Sequence, residues 1–166
     1  MLWFIAVLLA LAFGLLLAGR LGALAGTPPS DLGLRDGRLK PPSQTANSVS
    51  SQAVLHVGHP MQQGAMIDAL ALRGTPAETL RQLAELLRSM PGASVVTQRD
   101  DYLYAQFSSR WLGFVDDVEF WADSVAGVIQ LRSASRLGRK DYDVNRARIE
   151  ALRTRLAALP AKQTQD

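Results

Sequence analysis

Residues 2–19 read Leu-Trp-Phe-Ile-Ala-Val-Leu-Leu-Ala-Leu-Ala-Phe-Gly-Leu-Leu-Leu-Ala-Gly and carry no charge. This run constrains the chain more than any other feature. As a helix rising 1.5 Å per residue it spans about 27 Å, close to the thickness of a hydrocarbon core. Trp3 lies near one end, where an indole suits the interface. Arg20 closes the run, and its long stem can carry the guanidinium to the headgroups. A helix buried in a soluble core would show a polar stripe, and this one has none. Two readings remain, a retained anchor and a cleaved signal peptide. Ala23-Leu24-Ala25 before Gly26 fits a small-x-small cleavage site. Against cleavage, no Lys or Arg precedes the run, and the run exceeds a usual signal core. A single-pass anchor is therefore the expectation. Arg20, Arg35, Arg38 and Lys40 all follow it, and by the positive-inside rule alone they would hold the domain in the cytoplasm.

The remainder of the 166-residue chain suffices for one core and not two. It contains no cysteine, which excludes disulfides, thiolate zinc sites and cysteine nucleophiles. The net charge is +3, but the arginines are interleaved with acids and form no stripe with aromatics. A nucleic-acid partner is not expected.

Segment 21–48 reads as a linker. Thr27-Pro28-Pro29-Ser30, Asp36-Gly37 and Pro41-Pro42-Ser43 are turn and extended-chain signals. The domain is expected over 49–160, with a polar tail at 161–166. Val54, Leu55 and Val57 predict a short strand ended by His59-Pro60, and 66–72 predicts the first strand of the main sheet. Thr75, Pro76 and Glu78 form the start signal of a helix, with Thr75 at the N-cap and Glu78 completing a capping box. Leu80, Leu83, Ala84, Leu87 and Met90 give it an apolar face, and Pro91-Gly92 stops it. Strands are predicted at 94–98, 102–109, 114–121 and 128–135. A last helix begins near Asp143, with Asn145, Ile149, Leu152, Leu156 and Leu159 on one face and Arg146, Arg148, Arg153 and Arg155 on the others. Pro160 ends it. The order β-α-β4-α predicts an α+β domain, an antiparallel sheet with both helices on one face. This is the element order of TATA-binding-protein-like and reduced helix-grip folds, a comparison of topology alone.

The densest chemistry lies between Arg110 and Arg148. Asp117 and Glu119 share one face of their strand, and Asp116 lies on the other among apolar residues. Pairing Trp121 with Val128 would set Asp117 opposite Arg132, Glu119 opposite Gln130, and Asp116 opposite Ser133, with Ile129 and Leu131 meeting Phe120 and Val118. A carboxylate at Asp116 needs hydrogen bonds or a cation. Ser133, Ser135, Arg136 and Arg146 are candidates, with Asn145 nearby. The candidate polar cluster is thus Arg110, Asp116, Asp117, Glu119, Arg132, Ser133, Ser135, Arg136, Asn145 and Arg146. Its simplest role is a salt-bridge network locking helix to sheet. The sharper alternative is a ligand or divalent-metal site, against which stand the competing arginines. No metal site or cofactor is expected. His56 and His59 lack a third ligand, and the serines lack a nucleophile elbow or an activating histidine.

Four segments in this order resemble a known family: Asn47-Ser-Val-Ser-Ser-Gln52, Phe114-Val-Asp-Asp-Val-Glu-Phe120, Arg132-Ser-Ala-Ser-Arg-Leu-Gly138 and Asp143-Val-Asn-Arg-Ala-Arg-Ile-Glu150. Together with Asp31-Leu-Gly and Asp36-Gly-Arg-Leu39 they are similar to the bacterial and plastid proteins grouped as "domain of unknown function 1499", over roughly residues 31–157. The resemblance implies membrane anchoring or export, and no activity or catalytic residue comes with it. Similar proteins often carry a cysteine in a Cys-Pro segment and another in Asn-Cys-Val-Ser-Ser. Here these positions read Pro42 and Ser48, so the disulfide the resemblance implies is absent. The resemblance places the domain outside the cytoplasm, and we take that over the charge rule: an inner-membrane protein with a periplasmic domain.

The functional expectation is a non-enzymatic binding domain for a protein partner or an apolar small molecule, the latter in a concavity beneath the last helix. The alternatives are a metal-assisted hydrolase built on Asp116, Asp117 and Glu119, and a scaffold of an envelope complex.

Overall fold

The structure is a computed structural model and describes residues 1–160; the polar tail expected at 161–166 lies outside them. The apolar run forms one helix, α1 (Leu2–Arg20), nearly all of it exposed. It is long and apolar enough to cross a membrane, a test that a signal sequence near the N-terminus also passes. The rest is an α+β domain. Its elements are β1 (Ser48–Ser50), β2 (Leu70–Ala71), α2 (Pro76–Arg88), β3 (Ala93–Gln98), β4 (Tyr102–Ser108), β5 (Val115–Asp123), β6 (Val128–Ser135) and α3 (Val144–Ala158).

All strand pairs are antiparallel, in the spatial order β1-β6-β5-β4-β3, and β2 adds to the same edge of β6 as β1. Alternation sends Leu103, Ala105 and Phe107 of β4, Val118 and Phe120 of β5, and Ile129 and Leu131 of β6 to one face. Against that face pack Leu80, Leu83, Ala84 and Leu87 of α2 and Ile149, Leu152 and Leu156 of α3. Each such leucine stabilises the fold by about 1.5–3 kcal/mol through burial.

The capping box forms as the sequence predicts. Thr75 Oγ1 accepts the Glu78 N–H at 3.3 Å, and Glu78 Oε2 accepts the Thr75 N–H at 3.0 Å. The start of α3 differs. Asp143 sits in the left-handed region at φ 64° and makes no side-chain cap. Asp141 takes that role, its Oδ2 accepting the N–H of Asn145 at 3.1 Å.

Two local expectations are corrected and one strand is added. Residues 53–55 form a turn of 3₁₀ helix and not a strand. The strand predicted over 66–72 is confined to Leu70–Ala71. A strand unseen in the sequence, β1, pairs with β6.

Part of the segment read as a linker lies across the second face of the sheet. Leu39 is buried against Tyr102 and Tyr104, with Leu32, Leu34 and Trp121 packed around them. Two backbone contacts hold the ends of this strap: Gly33 N–H donates to Glu119 Oε1 at 2.7 Å, and Arg132 Nε–H donates to the Pro41 carbonyl at 3.0 Å. Gln52 Oε1 secures the middle by accepting the Leu39 N–H at 2.8 Å. Beside Pro42, the Ser43 N–H donates to Ser48 Oγ at 2.8 Å. The two positions at which the resemblance implies a disulfide are therefore neighbours.

Candidate functional site

The β5–β6 hairpin positions most of the candidate residues, and its register is two residues away from the expected one. Glu119 lies opposite Arg132, Asp117 opposite Ala134, Asp116 opposite Ser135, Val118 opposite Ser133, Phe120 opposite Leu131, Ala122 opposite Ile129, and Trp121 opposite Gln130. The cause is the loop. β5 runs on to Asp123, whose Oδ1 accepts the Ala126 N–H at 3.0 Å, and Gly127 at φ 68° returns the chain after four residues. A slip of two preserves every facing, because side chains alternate with period two.

The candidates therefore divide into two clusters on opposite faces. On the helix face, Asp116 is paired with Arg148 at 2.6 Å, not with the Arg136 or Arg146 that the sequence proposed. The Arg148 guanidinium also donates to Asn145 Oδ1 at 2.7 Å and to Ser133 Oγ at 3.2 Å, and stacks 4.2 Å from the Phe107 ring. Asn145 Oδ1 accepts the Ser133 hydroxyl, and its amide donates to Asp141, Ser135 and the Asn47 carbonyl. This closed network ties α3 to β5, β6 and β1.

On the strap face, Asp117 is buried and held by Arg136 through two bonds of 2.7 and 2.8 Å, a fork-to-fork pair. Tyr104 donates to Asp117 at 2.6 Å. Burial, reinforced by that bond, raises the Tyr104 pKa, and the Asp117 contact raises that of Arg136. Glu119 is fully buried. Its Oε1 accepts from Gly33 and from the Tyr102 hydroxyl at 2.8 Å, while Oε2 has no hydrogen-bond partner. Burial is the main cause that pushes the Glu119 pKa up.

Arg110 and Arg146 join neither cluster. Arg110 lies 5.0 Å over the ring of Trp111 in the β4–β5 loop, and Arg146 donates to the Gly64 carbonyl at 3.1 Å. Sequence reasoning left Arg148 out of the candidates. Its spacing of three from Asn145 was the available signal, since residues so spaced share a helix face. It also missed Tyr102 and Tyr104, which the alternation of β4 places beside the acids. Among the described residues no three His, Cys, Asp or Glu side chains come together as a metal site.

A cleft of ≈ 780 Å³ opens between the strap and the sheet, lined chiefly by Pro28, Pro29, Asp31, Lys40, Arg132 and Arg136. Asp31 is paired with Lys40 at 2.6 Å, a bond that lowers the Asp31 pKa, and Asp117 is paired with Arg136. Arg132 is different. It is 4% exposed, and beyond its Nε–H its guanidinium makes no hydrogen bond or ion pair among the described residues. Burial lowers its pKa, opposed by the fields of Glu119, Asp117 and Asp31. Beneath α3, Ile149, Leu152 and Leu156 pack onto the sheet, and a second, more apolar cleft of ≈ 580 Å³ lies beside its C-terminal half, lined by Leu70, Val128, Leu156 and Ala157.

The family model for "Protein of unknown function (DUF1499)" matches residues 38–156. The chain belongs to the DUF1499 family. The match includes both polar clusters and begins within the strap. No match was found among curated proteins or among solved structures.

Proposed function

We propose that this DUF1499 protein is a membrane-tethered, non-enzymatic binding domain on the outer side of the inner membrane, and that its cleft takes a carboxylate or phosphate group of a small molecule or a partner protein. One observation carries the reading: a buried guanidinium with unused donors lines a cleft in which Asp31 and Asp117 are already held by Lys40 and Arg136, while Glu119, opposite Arg132 on the next strand, gives its one bonded oxygen to Gly33 and Tyr102. Removing a charge from water costs several kcal/mol unless partners compensate. The terminal nitrogens of Arg132 form a planar fork suited to two oxygens of one anion. The metal-assisted alternative lacks such support. Asp116 and Asp117 each hold an arginine, and Glu119 holds Gly33 and Tyr102.

Inorganic phosphate serves as the probe. The full chain in neutral detergent micelles is titrated with phosphate against chloride at constant ionic strength, with the unfolding temperature as readout. The expected result is a saturable rise, because a ligand bound only by the native state stabilises it. Arg132→Lys keeps the charge but loses the fork and should weaken the apparent affinity about tenfold. No rise, or a rise untouched by Arg132→Lys, would overturn the reading.

A further inference from the structure

The end of the anchor helix touches the domain. Gly19 is the one buried residue of α1, and a Cβ placed on it would lie 2.5 Å from the Leu112 carbonyl oxygen. A Cβ on Gly113 would lie 2.5 Å from the Gly19 carbonyl oxygen. Backbone meets backbone here because neither residue has a side chain. With α1 across a bilayer, its last turn lies at the headgroups, and the 109–114 loop lies at the same level.

That loop carries Trp111 at 59% exposure and Phe114 at 40%, and Arg110 covers the indole. The register puts a second turn at the same end of the sheet, since the Arg136 N–H donates to the Val115 carbonyl at 3.0 Å. Beyond it come exposed Leu137, Arg139 and Lys140, with the Lys140 ammonium 5.4 Å from the ring of Tyr142. The tether returns to this end as well, Gly26 lying against Arg136 and Leu137. The opposite end of the sheet carries Asp100, Asp101 and Asp123, with Arg99 4.9 Å over the buried Tyr102 ring and Val125 exposed in the β5–β6 loop.

We infer that the 109–114 loop is a second membrane contact, with Trp111 and Phe114 inserted among the headgroups and Arg110, Arg139 and Lys140 facing anionic lipid. Indoles and basic side chains are the residues that favour this layer. The contact fixes the tilt of the domain on its tether. This inference goes beyond the ligand reading and is independent of the Arg132 cleft.

The absence of cysteine makes single reporters clean. The full chain is reconstituted in phosphatidylcholine–phosphatidylglycerol vesicles containing nitroxide-labelled lipid, with an environment-sensitive fluorophore at one introduced cysteine. Trp111→Cys and Phe114→Cys report the loop, and Phe114→Cys leaves Trp111 in place. Val125→Cys reports the far end, and Leu9→Cys reports α1. The expected result is strong quenching at 9, quenching at 111 and 114 several-fold above that at 125, and a fall at 111 and 114 when phosphatidylglycerol is omitted. Quenching at 9 with 111 and 114 no higher than 125 overturns the loop contact. No quenching at 9 overturns the anchor and the contact together, and leaves the phosphate titration at Arg132 unaffected.

Discussion

Arg148 shows what a single side chain does in this fold. It neutralises Asp116 at 2.6 Å, binds Asn145 and Ser133, and covers the Phe107 ring, with little of it reaching solvent. Arg148→Met strands the carboxylate, and urea unfolding should show a loss of about 3 kcal/mol, the range for breaking a buried pair from one side. Asp116→Asn in the same chain should recover part of it. The need for a cation at Asp116 was legible, because an acid on an apolar face has few other ways to stay charged. The identity of the cation was not, since Arg136, Arg146 and Arg148 are alike in sequence and only the path of α3 selects one. Glu119 supports a second prediction. Burial raises its folded pKa above the ordinary 4.5. The native state therefore holds a proton more tightly than the unfolded chain does. That contribution is fully present below the ordinary value and is lost as pH rises through the folded one. Urea midpoints between about pH 5 and about pH 8 should fall for the wild type relative to Glu119→Gln, which keeps an oxygen for Gly33 and Tyr102. A pH-independent difference would mean that Glu119 titrates normally.

At the scale of elements, α2 is the clearest success of the sequence. Its cap, apolar face and stop signal are all local, and tertiary packing follows them. Thr75→Ala should cost about 1 kcal/mol, read as a fall of about 4 °C in the unfolding temperature. The hairpin was only half legible. Alternation determines which face a side chain takes, but two registers two residues apart satisfy it equally. Loop closure by Asp123 and Gly127 selects between them. The strap was the least legible element. Prolines and glycines gave segment 21–48 the look of a linker, and Leu32, Leu34 and Leu39 follow no period. Their burial depends on Tyr102 and Tyr104, far away in sequence. Leu39→Ala should cost about 2 kcal/mol. Hydrogen exchange should accelerate at the Gly33 and Leu39 amides while the α2 amides stay protected, the mark of local opening.

Over the whole molecule, one sheet separates two environments. The helix face is closed by leucines and by the Asp116–Arg148 network. Among the described residues the other face is covered by the strap and the 27–30 stretch before it, and it retains a cleft with Arg132 in its wall. The long apolar helix could be read from composition alone, and the family from four short segments. The cleft could not, because it exists only once the strap is laid on the sheet. The most direct test of the central claim observes Arg132 itself. In the full chain with ¹⁵N-labelled arginine, phosphate is titrated while the Nε–H resonances are followed. The Arg132 resonance should shift saturably, ahead of those of the exposed Arg38 and Arg81. If Arg132 stays still, or moves only in step with the exposed arginines, the cleft is not an anion site and the proposed function fails.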